Sequence, residues 1–115
     1  PEQDAGTASL VALSIPVLLA MIVTAAITEE ILFRGYPIER INELTSTVWI
    51  GPALSFIIFV IPHLTFFGPG WLLYHGGGTV MIYALYLRRR NLVASMLLHL
   101  LFNLPILIPA SGLFG

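Results

Sequence analysis

The sequence predicts an all-α, polytopic transmembrane helix bundle of about four membrane helices, and three observations carry that prediction. Of its 115 residues 57% are hydrophobic and only 10% charged, with a mean hydropathy of +0.93. A soluble domain commits about a quarter of its residues to charge. The apolar residues fall into four segments separated by turn signals. Finally, all five basic residues, Arg34, Arg40 and Arg88 to Arg90, lie at the end of the first segment or between the third and fourth. Near-zero net charge and the lack of any basic patch exclude nucleic acid as a partner. The absence of cysteine excludes disulfides and thiolate chemistry.

The first segment covers about 8–42. It opens with some twenty uncharged residues, Ala8 to Ile27, long enough to cross the hydrocarbon, and Gly35 and Pro37 predict a bend after Arg34. The second, about 47–67, begins at Gly51-Pro52 and ends at Gly68-Pro69-Gly70. The third, about 72–88, is the weakest, because Gly76-Gly77-Gly78 separates Leu72 to His75 from the apolar run Val80 to Leu87. The fourth, about 91–110, ends among Pro105 and Pro109. Residues 1–115 read as one membrane-embedded unit. Pro1 in place of Met, and the polar stretch to Thr7, suggest a piece of a longer protein. If all four segments cross, both arginine-bearing links share one side, and the positive-inside rule makes the Arg34/Arg40 and Arg88–Arg90 side cytoplasmic.

Thr28-Glu29-Glu30-Ile31-Leu32-Phe33-Arg34 is the stretch most out of place in an apolar chain. Ionisable groups at membrane depth are costly and need partners. Glu30 and Arg34 stand four apart, acid before base, the favourable order for a helical pair. Glu29 points about 100° away, uncommitted to that pair. Two more polar sites follow: His63 in Phe59-Val60-Ile61-Pro62-His63, and His99 with Asn103 at i,i+4 spacing. Taking 1.5 Å per residue, Glu29 lies about 16 Å outward of Arg40 and His99 about 14 Å outward of Arg90, while His63 comes out deeper, at roughly 24 Å. The first two agree only if the first helix continues past Arg34. A carboxylate beside an imidazole in a poorly solvated cavity is a general-base arrangement for activating water. His99 and Asn103 are possible donors to an oxyanion. Neither a Ser-His-Asp order nor a His-Glu-x-x-His motif is evident.

Glu-Glu-x-x-x-Arg, then Phe-x-x-x-His, then His-x-x-x-Asn on successive membrane helices resembles the CPBP/Abi family of intramembrane proteases. That family includes the type II CAAX prenyl endopeptidases and the bacteriocin-processing or self-immunity proteins. The resemblance runs from Glu29 to Asn103, and Glu-Glu-Ile-Leu-Phe-Arg-Gly is typical of it. It implies an endopeptidase whose water is activated by Glu29 as acid/base with His63 as partner. It implies also that Glu30 and Arg34 support them, and that His99 with Asn103 form the oxyanion hole. It implies glutamate chemistry without a cofactor, additional membrane helices around this catalytic core, membrane lipids as surroundings, and as substrate a peptide or a prenylated-protein C-terminus.

Other readings of the same residues stand beside this one. Zinc held by Glu29, His63 and His99 gives a metal-dependent protease. A non-catalytic immunity or scaffold protein of the same fold would keep Glu30–Arg34 as a structural pair, His63 at an interface and His99–Asn103 as interhelical hydrogen-bonding groups. Buried acids also suit a proton or ion carrier. His75 reads as a loop residue, Trp49, Trp71 and Tyr74 as interfacial anchors, and Arg88 to Arg90 as a topology signal.

Overall fold

The computed structural model describes residues 4–112, which are helical almost throughout, with no strand among them. Asp4 caps the short helix α1 (Ala5–Val11), accepting from the Thr7 backbone N–H at 2.7 Å and its hydroxyl at 2.9 Å. The Thr7 N–H in particular holds the Asp4 carboxyl below the ordinary carboxylate range. The predicted first segment is therefore broken after Val11. Pro16 then sits in the first turn of α2 (Ile15–Glu29), where its missing N–H costs nothing. A π-helical segment (Glu30–Gly35) and α3 (Tyr36–Thr45) continue it, so residues 15–45 form one 31-residue rod. Gly35 and Pro37, where the sequence predicts a bend, fall at the junction of this π-helical segment with α3. Ser46 ends the rod in the left-handed region, at φ 55°.

Helix α4 (Ile50–Phe67) turns back and packs on α3. The close approach is made at Gly51, whose N–H donates to Asn42 Oδ1 at 3.1 Å. A Cβ there would lie 2.5 Å from that oxygen and 2.7 Å from the Ile38 carbonyl oxygen. Gly51→Ala is accordingly expected to lower stability by about 1–3 kcal/mol through overpacking, measured by thermal unfolding in detergent. Parent-like unfolding would show that the α3–α4 contact yields easily.

Helix α5 (Gly70–Arg89) covers the predicted third segment, about 72–88, as one unbroken helix. Residues 70–78, divided in the sequence by the glycine triplet, are the first half of one 20-residue helix, and His75 is on a helix instead of in a loop. Three helices, Ile15–Thr45, Ile50–Phe67 and Leu92–Ala110, are long and apolar enough to cross a membrane. At 1.5 Å per residue α5 is long enough, but its glycines, His75 and terminal arginines leave it less apolar, so the count by length and composition is three instead of four. Asn91 caps α6 (Leu92–Asn103), accepting from the Ala94 N–H at 3.2 Å. A 3₁₀ turn (Leu104–Ile106) and α7 (Leu107–Ala110) follow, bent at Pro105 and Pro109.

The distribution of polarity is that of a membrane bundle. Leu73, Leu32 and Leu101 face outward, while Glu30, Arg34, Ser55, Ser95 and His99 are buried. At one end Arg90 Nη1 lies 2.5 Å from Glu39 Oε1, and the Tyr86 hydroxyl donates to the same oxygen at 2.8 Å. That contact ties the last turn of α5 to α3 and brings both arginine-bearing links to the same end. It also helps hold Arg90 in its left-handed conformation, φ 51°. The apolar exterior identifies an integral membrane protein.

Candidate active site

The π-helical segment coincides with Glu30-Ile31-Leu32-Phe33-Arg34-Gly35, the charged stretch of the sequence. The Tyr36 N–H reaches five residues back to the Ile31 carbonyl. Such insertions change which residues the following turns present, and they recur at functional sites. Two neighbours accommodate it. The Ser55 hydroxyl of α4 donates to the Phe33 carbonyl and lies 2.7 Å from the Tyr83 hydroxyl. Gly35 lets Leu92 approach, since a Cβ there would lie 2.8 Å from its Cδ1.

The two adjacent acids go separate ways, as their spacing predicts. Glu30 and Arg34 are both fully buried and paired, Nη1 to Oε2 at 2.7 Å. The guanidinium carbon lies 4.3 Å from the ring centroids of both Phe59 and Tyr83, so its charge meets π faces. Arg34 Nε and Nη2 and Glu30 Oε1 have no hydrogen-bond partner among the described residues. Glu29 is instead 27% exposed and lines a cavity of about 800 Å³. The cavity runs from Glu29 toward the end of the bundle remote from the arginines, between α2, α4, α5 and α6. A shallow groove on the exposed face of α2, lined by Val17, Ala20, Thr24 and Thr28, reaches the same Glu29.

Both predicted histidines meet Glu29. His63 Nε2 lies 3.9 Å from Glu29 Oε1, and His99 Nε2 lies 3.4 Å from Glu29 Oε2. Each ring spends its Nδ1 elsewhere: His63 on the Phe59 carbonyl at 2.7 Å, His99 on Glu30 Oε2 at 2.7 Å. With Nδ1–H donated to those acceptors, both Nε2 atoms turn toward Glu29. The 3.9 Å gap to His63 is too long for a direct hydrogen bond, and one water molecule can touch both atoms. The His63 depth mismatch disappears because the rod runs to Thr45. Counted from the Thr45–Ile50 turn, Glu29 is about 24 Å deep and His63 about 20 Å.

Asn103 lines the same cavity one turn beyond His99, and its amide makes no hydrogen bond among the described residues. Glu30, which local spacing pairs with Arg34 alone, also accepts from His99 and so links the first rod to α6. Two cavity residues were not anticipated, Trp71 and His75, with ring centroids 6.0 Å apart. Their i,i+4 spacing was a signal, hidden by the glycines that follow. The oxygen and imidazole donors around Glu29 suit zinc by type. Even so, no group of three His, Cys, Asp or Glu side chains among the described residues is arranged to hold a metal ion.

Over residues 11–105 the chain matches the family described as type II CAAX prenyl endopeptidase Rce1-like. No curated protein and no solved structure matches it.

Proposed function

Since the chain belongs to the type II CAAX prenyl endopeptidase Rce1-like family, we propose that it is an intramembrane endopeptidase whose hydrolytic water is held between Glu29 and His63. One observation carries the reading. Of two adjacent glutamates, one is buried and neutralised by Arg34, while the other faces a cavity between two imidazoles. Glu29 takes a proton from water as the oxygen attacks the scissile carbonyl carbon. His63 Nε2 orients that water. The carbonyl oxygen, now negative, is met by the Asn103 amide and by His99 in its doubly protonated form, with Nδ1–H on Glu30 and Nε2–H on the oxygen. Collapse of the tetrahedral intermediate breaks the C–N bond, and Glu29 returns its proton to the leaving amine. Glu30 and Arg34 act through His99, fixing its ring from behind.

The substrate is a peptide anchored in or on the membrane, a prenylated C-terminus first among candidates. The apolar cavity and the groove along the lipid-facing side of α2 favour such a peptide over a soluble one. The arginine-bearing end is proposed to be cytoplasmic. The test uses the full chain in proteoliposomes with two synthetic peptides, one ending in a farnesylated cysteine plus three residues and the other unprenylated. Release of the terminal tripeptide, read by mass spectrometry and unaffected by exhaustive chelation, is the expected result. Activity lost on chelation and restored by zinc would replace this reading with the metal-dependent one.

A further inference from the structure

No motif accounts for the stretch from Gly68 to Gly78, yet it supplies one wall of the cavity. Gly68 has φ 85°, a conformation open to glycine, and the Gly68-Pro69 turn starts α5 directly after α4. The Trp71 N–H closes this turn on the Gly68 carbonyl at 3.1 Å. Trp71 therefore arrives beside His63, near the end of α4, and is 7% exposed.

Its ring centroid lies 4.9 Å from that of His63 at an interplanar angle of 34°. Phe59 lies 4.3 Å from the same imidazole at 35°, and Phe67 6.1 Å at 19°. Phe59 and Trp71 are 6.3 Å from each other, so they enclose the imidazole as a corner, not as a sandwich. Among the described residues, the polar contacts of His63 are the Phe59 carbonyl and the distant Glu29. One hydrogen bond from Nδ1 leaves the ring free to swing about that atom, and the large cavity offers it room. The rings remove that freedom.

We propose that Trp71 is a positioning residue for His63, holding the imidazole so that Nε2 stays turned toward Glu29. The inference rests on the water-activating reading of Glu29 and His63. It predicts an effect on the chemical step and little on substrate affinity, because displacing a reacting group by about 1 Å costs up to about 10²-fold in rate.

The experiment measures kcat and KM for peptide cleavage by the full chain in proteoliposomes, with thermal unfolding alongside. Trp71→Ala should lower kcat about 10-fold or more with KM within about threefold, and Trp71→Phe should recover kcat to within about threefold of the parent. Leu73→Ala, on the lipid-facing side of the same helix, serves as the unchanged control. A raised KM with parent kcat would make Trp71 a substrate wall and overturn the inference, as would parent values for both constants. If Trp71→Ala does not fold, Trp71→Leu replaces it: kcat well below that of Trp71→Phe supports the aromatic restraint, and equal values overturn it. Glu29→Gln and His63→Ala run in parallel. Turnover retained in both would instead refute the water-activating reading itself.

Discussion

Glu29→Gln is expected to lower kcat by about 10²–10⁴-fold, the range of a general base, while the protein inserts, folds and unfolds at the parent temperature. The amide has the shape of the carboxylate but cannot take a proton from water. Glu29 is partly exposed to the cavity, and its nearest partners are imidazole nitrogens at 3.4 and 3.9 Å instead of a fixed cation. Its removal therefore leaves no buried charge stranded. Glu30→Gln, one residue along, should behave differently, because Arg34 and His99 both lean on that carboxylate. It should lose stability as well as turnover. Full turnover in Glu29→Gln would remove the basis for the proteolytic assignment.

Arg34→Met should be the most destabilising single change in the chain. Methionine keeps most of the side-chain volume and withdraws the charge, leaving Glu30 with only His99 as a partner. Removing one member of a buried ion pair costs about 3–5 kcal/mol, because the survivor is left desolvated and uncompensated. Glu30 Oε1 is already without a hydrogen-bond partner among the described residues, so the remaining acid has little to turn to. The measurement is unfolding in mixed micelles, with the double variant Arg34→Met/Glu30→Gln as companion. That double variant should regain part of the loss, since both charges are then gone. No recovery would mean that the guanidinium matters chiefly for its packing between Phe59 and Tyr83.

Local spacing made a large part of the site legible. The split between Glu29 and Glu30 follows from adjacent positions standing about 100° apart on a helix. The Glu30–Arg34 pair follows from i,i+4 geometry, and the three motifs named the family. The π-helical turn was not legible, because its stabilising partners, Ser55 and Leu92, are distant in sequence. The glycine triplet makes the third segment, about 72–88, the weakest in the sequence, yet α5 runs unbroken through it. Each glycine costs a helix only about 1 kcal/mol, and tertiary contact overrides that. Gly78 lets the Phe102 ring come close, a Cβ there lying 3.3 Å from it. Reading Trp71 as an interfacial anchor and His75 as a loop residue left both out of the site.

Membrane residence, the helical segments and the pairing of neighbours on one helix were settled by the amino-acid order, because hydropathy and helical pitch act over a few residues. Whether residues 29, 63 and 99 meet was decided only by the folded chain. Their convergence depends on where each helix begins and ends, and long-range contacts govern that: Gly51 against Asn42, Glu39 against Arg90, and the hydroxyl of Ser55 on the widened turn.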